Sequence, residues 1–143
     1  MFSKACEYAI RSSIYIASQT LKGSRVSLKD VAEKIDSPEA FTSKILQKLV
    51  KHDIILSIKG PGGGFEIELK KMGKIKLKMI VDAFDGDILN RCSLGLNECS
   101  DLKPCPFHTK YKPIKEKLLH VFETTSLDDL MRGYQNDQTF LRI

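Results

Sequence analysis

Cys92, Cys99, Cys105 and His108 fall in one stretch of the 143-residue chain, RCSLGLNECSDLKPCPFH, separated by six, five and two residues. Three thiols and an imidazole are the donors that a transition metal or an iron–sulfur cluster takes. The stretch is polar and contains Gly, Asn and Pro, so it offers no apolar core in which unreacting thiols would be hidden. A structural zinc site of the Cys3His kind is one alternative, although zinc ribbons usually include a tight Cys-x-x-Cys, which is absent here. Free thiols with no metal are the other. The fourth cysteine, Cys6, stands in an apolar helical pattern and reads as a buried helix residue.

The rest of the composition narrows the class. Hydrophobic residues make up 42% and charged residues 29%, the balance of an ordinary globular domain. No apolar run approaches the length of a membrane span, and the N-terminus interleaves charge with apolar residues, unlike a secretory signal. The expectation is a cytoplasmic protein with no membrane partner, where close-set cysteines serve metal or redox chemistry rather than disulfides. Residues 1–80 carry 15 Lys+Arg against 8 Asp+Glu, whereas residues 81–143 carry 8 against 10. The basic character therefore lies in the first part, where a polyanion would bind. No Ser/His/Asp arrangement or paired-carboxylate site stands out, and no Gly-Lys-Ser/Thr follows the glycine run at 60–64, which excludes a phosphate-binding P-loop. The chain reads as no enzyme, with no small-molecule substrate.

The elements that must position these groups can be read from periodicity. Apolar residues at helical spacing predict a first helix over 3–20, with Ser3 as N-cap and Glu7 in its early turns. Ser27 opens a second, with Asp30 three residues on in an acidic variant of the capping box. A third runs from Pro38 to His52 with Phe41, Ile45, Leu46, Leu49 and Val50 as its buried stripe. Thr42, Ser43, Lys44, Gln47, Lys48 and Lys51 lie outside that stripe. Two β-type runs follow, Ile54–Lys59 and Phe65–Leu69, the second with Phe65, Ile67 and Leu69 inward. The glycine-rich Gly60–Gly64 turn between them lets backbone approach another surface closely. A short helix over about 76–84 precedes the cysteine loop. Phe107, Tyr111, Ile114, Leu118, Val121 and Phe122 then describe a helix with a coiled-coil-like seam. Ser126 caps a last short helix, and the tail from Gly133 is polar and expected to be loose.

Helix, helix, turn, helix, hairpin is the winged-helix order. The predicted fold is mainly α with a small β-hairpin: a winged helix-turn-helix DNA-binding domain plus a long dimerisation helix. Its parts would be the DNA-binding domain at 1–84, a cysteine-rich cluster-binding loop at 85–108, the dimerisation helix and C-terminal segment at 109–131, and a flexible tail at 132–143. The helix at 38–52 would enter the major groove of double-stranded DNA. Thr42 and Ser43 would touch base edges, and Lys44, Lys48 and Lys51 would meet phosphates. Lys59 at the base of the hairpin, with Gly62 and Gly63 at its tip, would reach a minor groove. Ser27, Pro38 and Glu39, at the helix starts, complete the candidate DNA-binding set.

KILQKLVKHDII followed by KGPGGGF, the first helix ACEYAIR and the three-cysteine loop together resemble the Rrf-two family of bacterial transcription regulators, and within it the iron–sulfur cluster branch. The likeness runs from Phe2 to about Met131. It implies a homodimeric winged-helix protein on an imperfectly two-fold DNA site. It also implies that Cys92, Cys99 and Cys105 are cluster ligands, with His108 as the fourth in the 2Fe–2S branch. A nitric-oxide-sensing branch instead holds a 4Fe–4S cluster with an acidic ligand from the first helix of the partner subunit, where this chain has Glu7. Cys6 is a third candidate. The two-residue spacing from Cys105 favours His108 and a 2Fe–2S cluster, with 4Fe–4S as the alternative. The first gap, six residues here, is often five in that branch. Ser43 and Lys59 replace an acidic residue and an arginine of the best-known members, so a different DNA sequence is expected. The function implied is DNA binding controlled by a cluster that senses redox state, iron or nitric oxide. The alternative is a winged-helix regulator with structural zinc or no metal.

Overall fold

The computed structural model describes residues 1–135 and 139–142. Ser3 is extended, and its hydroxyl accepts the Cys6 amide at 3.1 Å, which starts α1, Lys4–Leu21. This helix is the centre of the domain. Its buried positions are mostly small (Ala9, Ser12, Ser13, Ala17, Ser18) around Ile16, so neighbouring helices can approach its backbone closely. Ser13 settles its hydroxyl by donating to the Ala9 carbonyl at 2.8 Å.

α2, Leu28–Ile35, begins with the expected reciprocal cap: Ser27 N–H donates to Asp30 at 2.9 Å and Asp30 N–H to the Ser27 hydroxyl at 3.1 Å. It ends at Asp36, in the left-handed region with φ 55°. Pro38 then leads into α3, Glu39–Lys51. One apolar core joins these helices to the hairpin, with Ile16, Val31, Ile35, Ile45, Leu46, Leu49, Ile67 and Ile80 all buried within it.

The hairpin is shorter than the sequence predicts. β1, Leu56–Ile58, pairs antiparallel with β2, Gly64–Glu66, with Ser57 opposite Phe65. Ile54 and Ile55 are spent on the core instead of the ladder, following a left-handed residue at Asp53 with φ 57°. Val26 adds a third edge, exchanging both backbone hydrogen bonds with Phe65 at 2.8 and 3.1 Å. Leu69, expected inward, is 61% exposed: the chain leaves the ladder after Glu66 and turns through a short 3-10 segment, Leu69–Lys71, so the period-two alternation stops.

α4, Leu77–Asp85, stops at Gly86 with φ 66°. After the cysteine loop come α5, His108–Thr124, and α6, Leu127–Gln135. Ser126 and Asp129 form a second reciprocal cap at 2.8 and 3.2 Å. α6 folds back on α1, and Leu127 and Met131, one helical turn apart, are buried. Backbone hydrogen bonds from Leu77 to Thr125 and from Leu127 to Ile75 pin the turn between α5 and α6 to the winged-helix domain. Within the expected tail, Leu141 packs on the core, Arg11 donates to its carbonyl at 3.1 Å, and Arg142 donates to the Glu33 carbonyl at 3.0 Å. The remainder of that expectation, residues 136–138 and 143, lies outside the described residues. Among the described residues no helix is long and apolar enough to cross a membrane.

Candidate nucleic-acid interface and cysteine loop

α3 buries Thr42, Ile45, Leu46 and Leu49. Thr42 is therefore a correction to the expected DNA-contacting set: it is 0% exposed, and its hydroxyl donates to the Pro38 carbonyl at 2.9 Å. It sits three, four and seven residues before the other buried positions, on the same helix face, and the local hydrogen bond satisfies the group that made it look polar. The opposite face presents Lys44, Gln47 and Lys51 to solvent. Lys48 is exposed but leans toward α4, with its ammonium 4.8 Å from the centre of the Phe84 ring. Ser43, half-buried, turns toward the hairpin and accepts from the Gln47 amide at 3.2 Å. The two line a groove with Leu28, Val50, Ser57 and Phe65. Gln47 was not in the expected set. Its carboxamide can address adenine with two hydrogen bonds, and the signal for it was its place three residues after Lys44 and four before Lys51. Pro38 and Glu39 are exposed at the start of α3, and Ser27 at the start of α2.

In the wing, Lys59 and Gly62 are exposed. Gly63 is required by close packing: a Cβ there would lie 2.2 Å from the Ile58 carbonyl oxygen. Gly64, at φ 137°, would place one 2.7 Å from the Val26 carbonyl oxygen. At these two positions backbone packs on the protein's own backbone. Arg25 braces the hairpin, with Nε 2.9 Å from the Glu66 carboxylate and Nη1 donating to the Gly62 carbonyl at 3.2 Å. Nothing local in the sequence announced this brace, because its partners lie about forty residues on.

The cysteine loop, 86–107, contains no helix or strand. Cys92 is buried, and the backbone amides of Leu94 and Leu96 donate toward its sulfur, holding its thiol below the usual cysteine range. The four sequence-predicted donors come together as two pairs. Cys92 and Cys105 bring their sulfurs within 3.9 Å, and the Cys99 sulfur lies 3.5 Å from His108 Nδ1. Two thiolates on one tetrahedral metal stand about 3.8 Å apart, and a thiolate and an imidazole nitrogen about 3.5 Å, given metal–sulfur bonds near 2.3 Å and metal–nitrogen bonds near 2.0 Å. Both pairs are close to those spacings. Among the described residues no three His, Cys, Asp or Glu side chains converge on one point. The residues fit an iron–sulfur group in donor type, in pair spacing and in the amides aimed at a sulfur.

His108, 7% exposed, is the first residue of α5, and its Nε2 lies 2.8 Å from Asp101. Lys112 grips both oxygens of Asp101 at 2.6 and 2.8 Å. That ammonium first, and the imidazole second, hold the Asp101 carboxyl below the usual carboxylate range. Lys115 donates to the Asn90 carbonyl at 3.2 Å, a second tie between α5 and the loop. Within one chain the two alternative ligands are placed on the first turn of α1. Glu7 is ion-paired with Lys4 at 2.9 Å within the first turn of α1. Cys6 is buried beside Val81 and Leu89, its thiol pushed up to about 12 by burial and by the Asp85 carboxylate.

α5 has two apolar faces rather than one seam. Leu118, Leu119 and Phe122 pack inward on Phe2, Cys6, Val81 and Leu89, with the Phe2 and Phe122 ring centres 5.2 Å apart. Phe107, Ile114 and Val121, seven residues apart in turn, remain exposed.

The family model Rrf2, described as iron-dependent transcriptional regulator, matches residues 2–133. The chain belongs to the Rrf2 family. An HTH-type transcriptional regulator of Aquifex aeolicus is 29% identical over 92% of this chain and 91% of its own length. The regulator IscR of Pectobacterium atrosepticum is 25% identical over 88% and 76%. Among solved structures, CymR, the global cysteine regulator of B. subtilis, superposes with TM-score 0.74 at 20% identity over 93% of this chain and 97% of that one. T. potens IscR does so with TM-score 0.72 at 19% identity over 97% and 91%. The Rrf2 protein is thus a winged-helix transcriptional regulator, and its relatives are regulators of DNA rather than enzymes.

Proposed function

We propose that this Rrf2 protein binds double-stranded DNA as a homodimer and that a 2Fe–2S cluster in the cysteine loop controls the binding. The observation that carries the cluster reading is the sorting of the four donors into two pairs, Cys92 with Cys105 and Cys99 with His108, each near the spacing of two ligands on one metal. A single zinc would need all four around one point. Such a cluster would supply a centre that can be reduced, oxidised or lost in response to redox state, iron or nitric oxide.

The protein's own residues couple that event to DNA. His108 begins α5, Asp101 of the loop is held by Lys112, and Asn90 by Lys115, so ordering the loop fixes the first two turns of α5. The exposed Phe107, Ile114 and Val121 are the face that a second copy would cover. The inner face of the same helix packs on α4 and α1. A shift of α5 therefore alters the separation of the two α3 helices, and half-site spacing sets affinity. Lys44, Lys51 and Gln47 at the centre, Ser43, Lys48, Ser27, Pro38 and Glu39 around them, and Lys59, Gly62 and Gly63 on the wing form the DNA-facing surface of this reading. Coupling of this kind amounts to about 1–3 kcal/mol, or about 5–150-fold in affinity.

Anaerobic purification with iron and sulfide quantitation tests the reading. Two irons and two sulfides per chain, lost together when Cys92, Cys99 and Cys105 are changed to Ala, are expected. One zinc per chain, or none of these elements after reconstitution, would refute it.

A further inference from the structure

We propose that Asp101, held by Lys112, fixes His108 with Nε2 protonated and Nδ1 bare toward Cys99, so that Nδ1 is the nitrogen offered to the metal. This rests on the cluster reading above, but its evidence is separate. Lys112 is four residues after His108, on the same side of α5, and contacts both oxygens of Asp101 at 2.6 and 2.8 Å. An ionised carboxylate only accepts hydrogen bonds. The His108 Nε2 atom, 2.8 Å from Asp101 Oδ1, must then be the donor. A histidine that ligates a metal is neutral and carries one N–H, so with that proton on Nε2 the lone pair falls on Nδ1, the atom 3.5 Å from the Cys99 sulfur.

The carboxylate is placed by its own local turn. The Ser100 hydroxyl accepts the backbone amides of Leu102 and Lys103 at 3.2 and 3.3 Å, which holds Asp101 at the head of a tight bend over the first turn of α5. Asp101 and Lys112 are thus positioning residues. They do not touch the metal; they set the face and the tautomer of a ligand that does, as carboxylates behind metal-binding histidines do elsewhere.

The test has two arms on the full-length protein. In the iron-free chain, labelled with 15N-histidine, a hydrogen-bonded Nε2 proton of His108 should be protected from solvent exchange and visible in proton–nitrogen spectra. It should disappear in Asp101→Ala and in part return in Asp101→Asn, whose amide oxygen still accepts. In the cluster-loaded protein, Asp101→Ala should shorten the lifetime of the visible absorption under a chelator by about ten- to a hundredfold, with Lys112→Met intermediate. A protected proton on Nδ1, or none in the wild type, overturns the proposal, as does an unchanged cluster lifetime in Asp101→Ala. A chain that shows the protected Nε2 proton yet takes up no iron and sulfide sinks the cluster reading and leaves the imidazole assignment standing.

Discussion

The helix-turn-helix with its wing and the cysteine loop are held in different ways. The first is closed by an apolar core, by reciprocal caps at Ser27/Asp30 and by backbone pairing of Val26 with Phe65. Every group it needs is in place. The second has no regular structure: Leu89 anchors its start in a small apolar cluster, and polar contacts hold the rest, Asp101 with His108 and Lys112, Lys115 with Asn90, and amides on the Cys92 sulfur. Its four candidate donors lie as two pairs, Cys92 with Cys105 and Cys99 with His108. The two regions meet at α5, whose inner face packs on α1 and α4 and whose first turns are tied to the loop through Lys112 and Lys115.

Stability measurements break this contrast most sharply. Leu49→Ala, a truncation of a fully buried side chain, should cost about 2–5 kcal/mol in denaturant unfolding. Cys105→Ser in the iron-free chain should stay within about 0.5 kcal/mol of wild type while abolishing iron uptake. Equal losses in the two variants would mean that the loop is part of the folding unit.

DNA readout gives the next effect. Gln47→Ala should cost about 1–3 kcal/mol at one base-pair position and little on non-specific DNA. Lys44→Ala should weaken all sequences alike and lower the salt slope by about one. Binding-site selection with each variant separates the two roles.

At the junction of the regions, Cys6 lies under α5 with its thiol pushed up to about 12, against about 8.5 for a free thiol. The folded chain keeps a proton that the unfolded chain releases, so this contribution is full below the unfolded value and is lost as pH rises toward the folded one. Stability should fall above about pH 8.5 with a slope of up to about 1.4 kcal/mol per pH unit from this group, and Cys6→Ala should flatten the decline. The smallest effect belongs to the cap: Ser27→Ala should cost about 1 kcal/mol in thermal or urea unfolding, without touching iron content.

The sequence was most legible where structure is local. The caps at Ser3, Ser27 and Ser126 and the stripe of Ile45, Leu46 and Leu49 follow from spacing alone. Thr42 misled because a hydroxyl that bonds its own turn looks polar in sequence and is buried in the fold. The docking of α6 on α1 and the Arg25 brace are long-range choices that no local pattern encodes. The same holds for the split of α5 into two faces: Leu118 and Phe122 share the heptad pattern with Ile114 yet pack against Phe2 and Val81. In the cysteine loop the donor types were plain from the sequence, but which sulfur meets which partner depends on turns that only the fold defines.

Under the proposed function, filling the cysteine loop changes how two copies of the chain sit on DNA. The most direct measurement is the affinity of the full-length protein for one selected operator, cluster-loaded and iron-free, at the same ionic strength. A difference of about 5–150-fold is expected, vanishing in the Cys92→Ala, Cys99→Ala, Cys105→Ala triple variant. Equal affinity of the loaded and iron-free protein would contradict it.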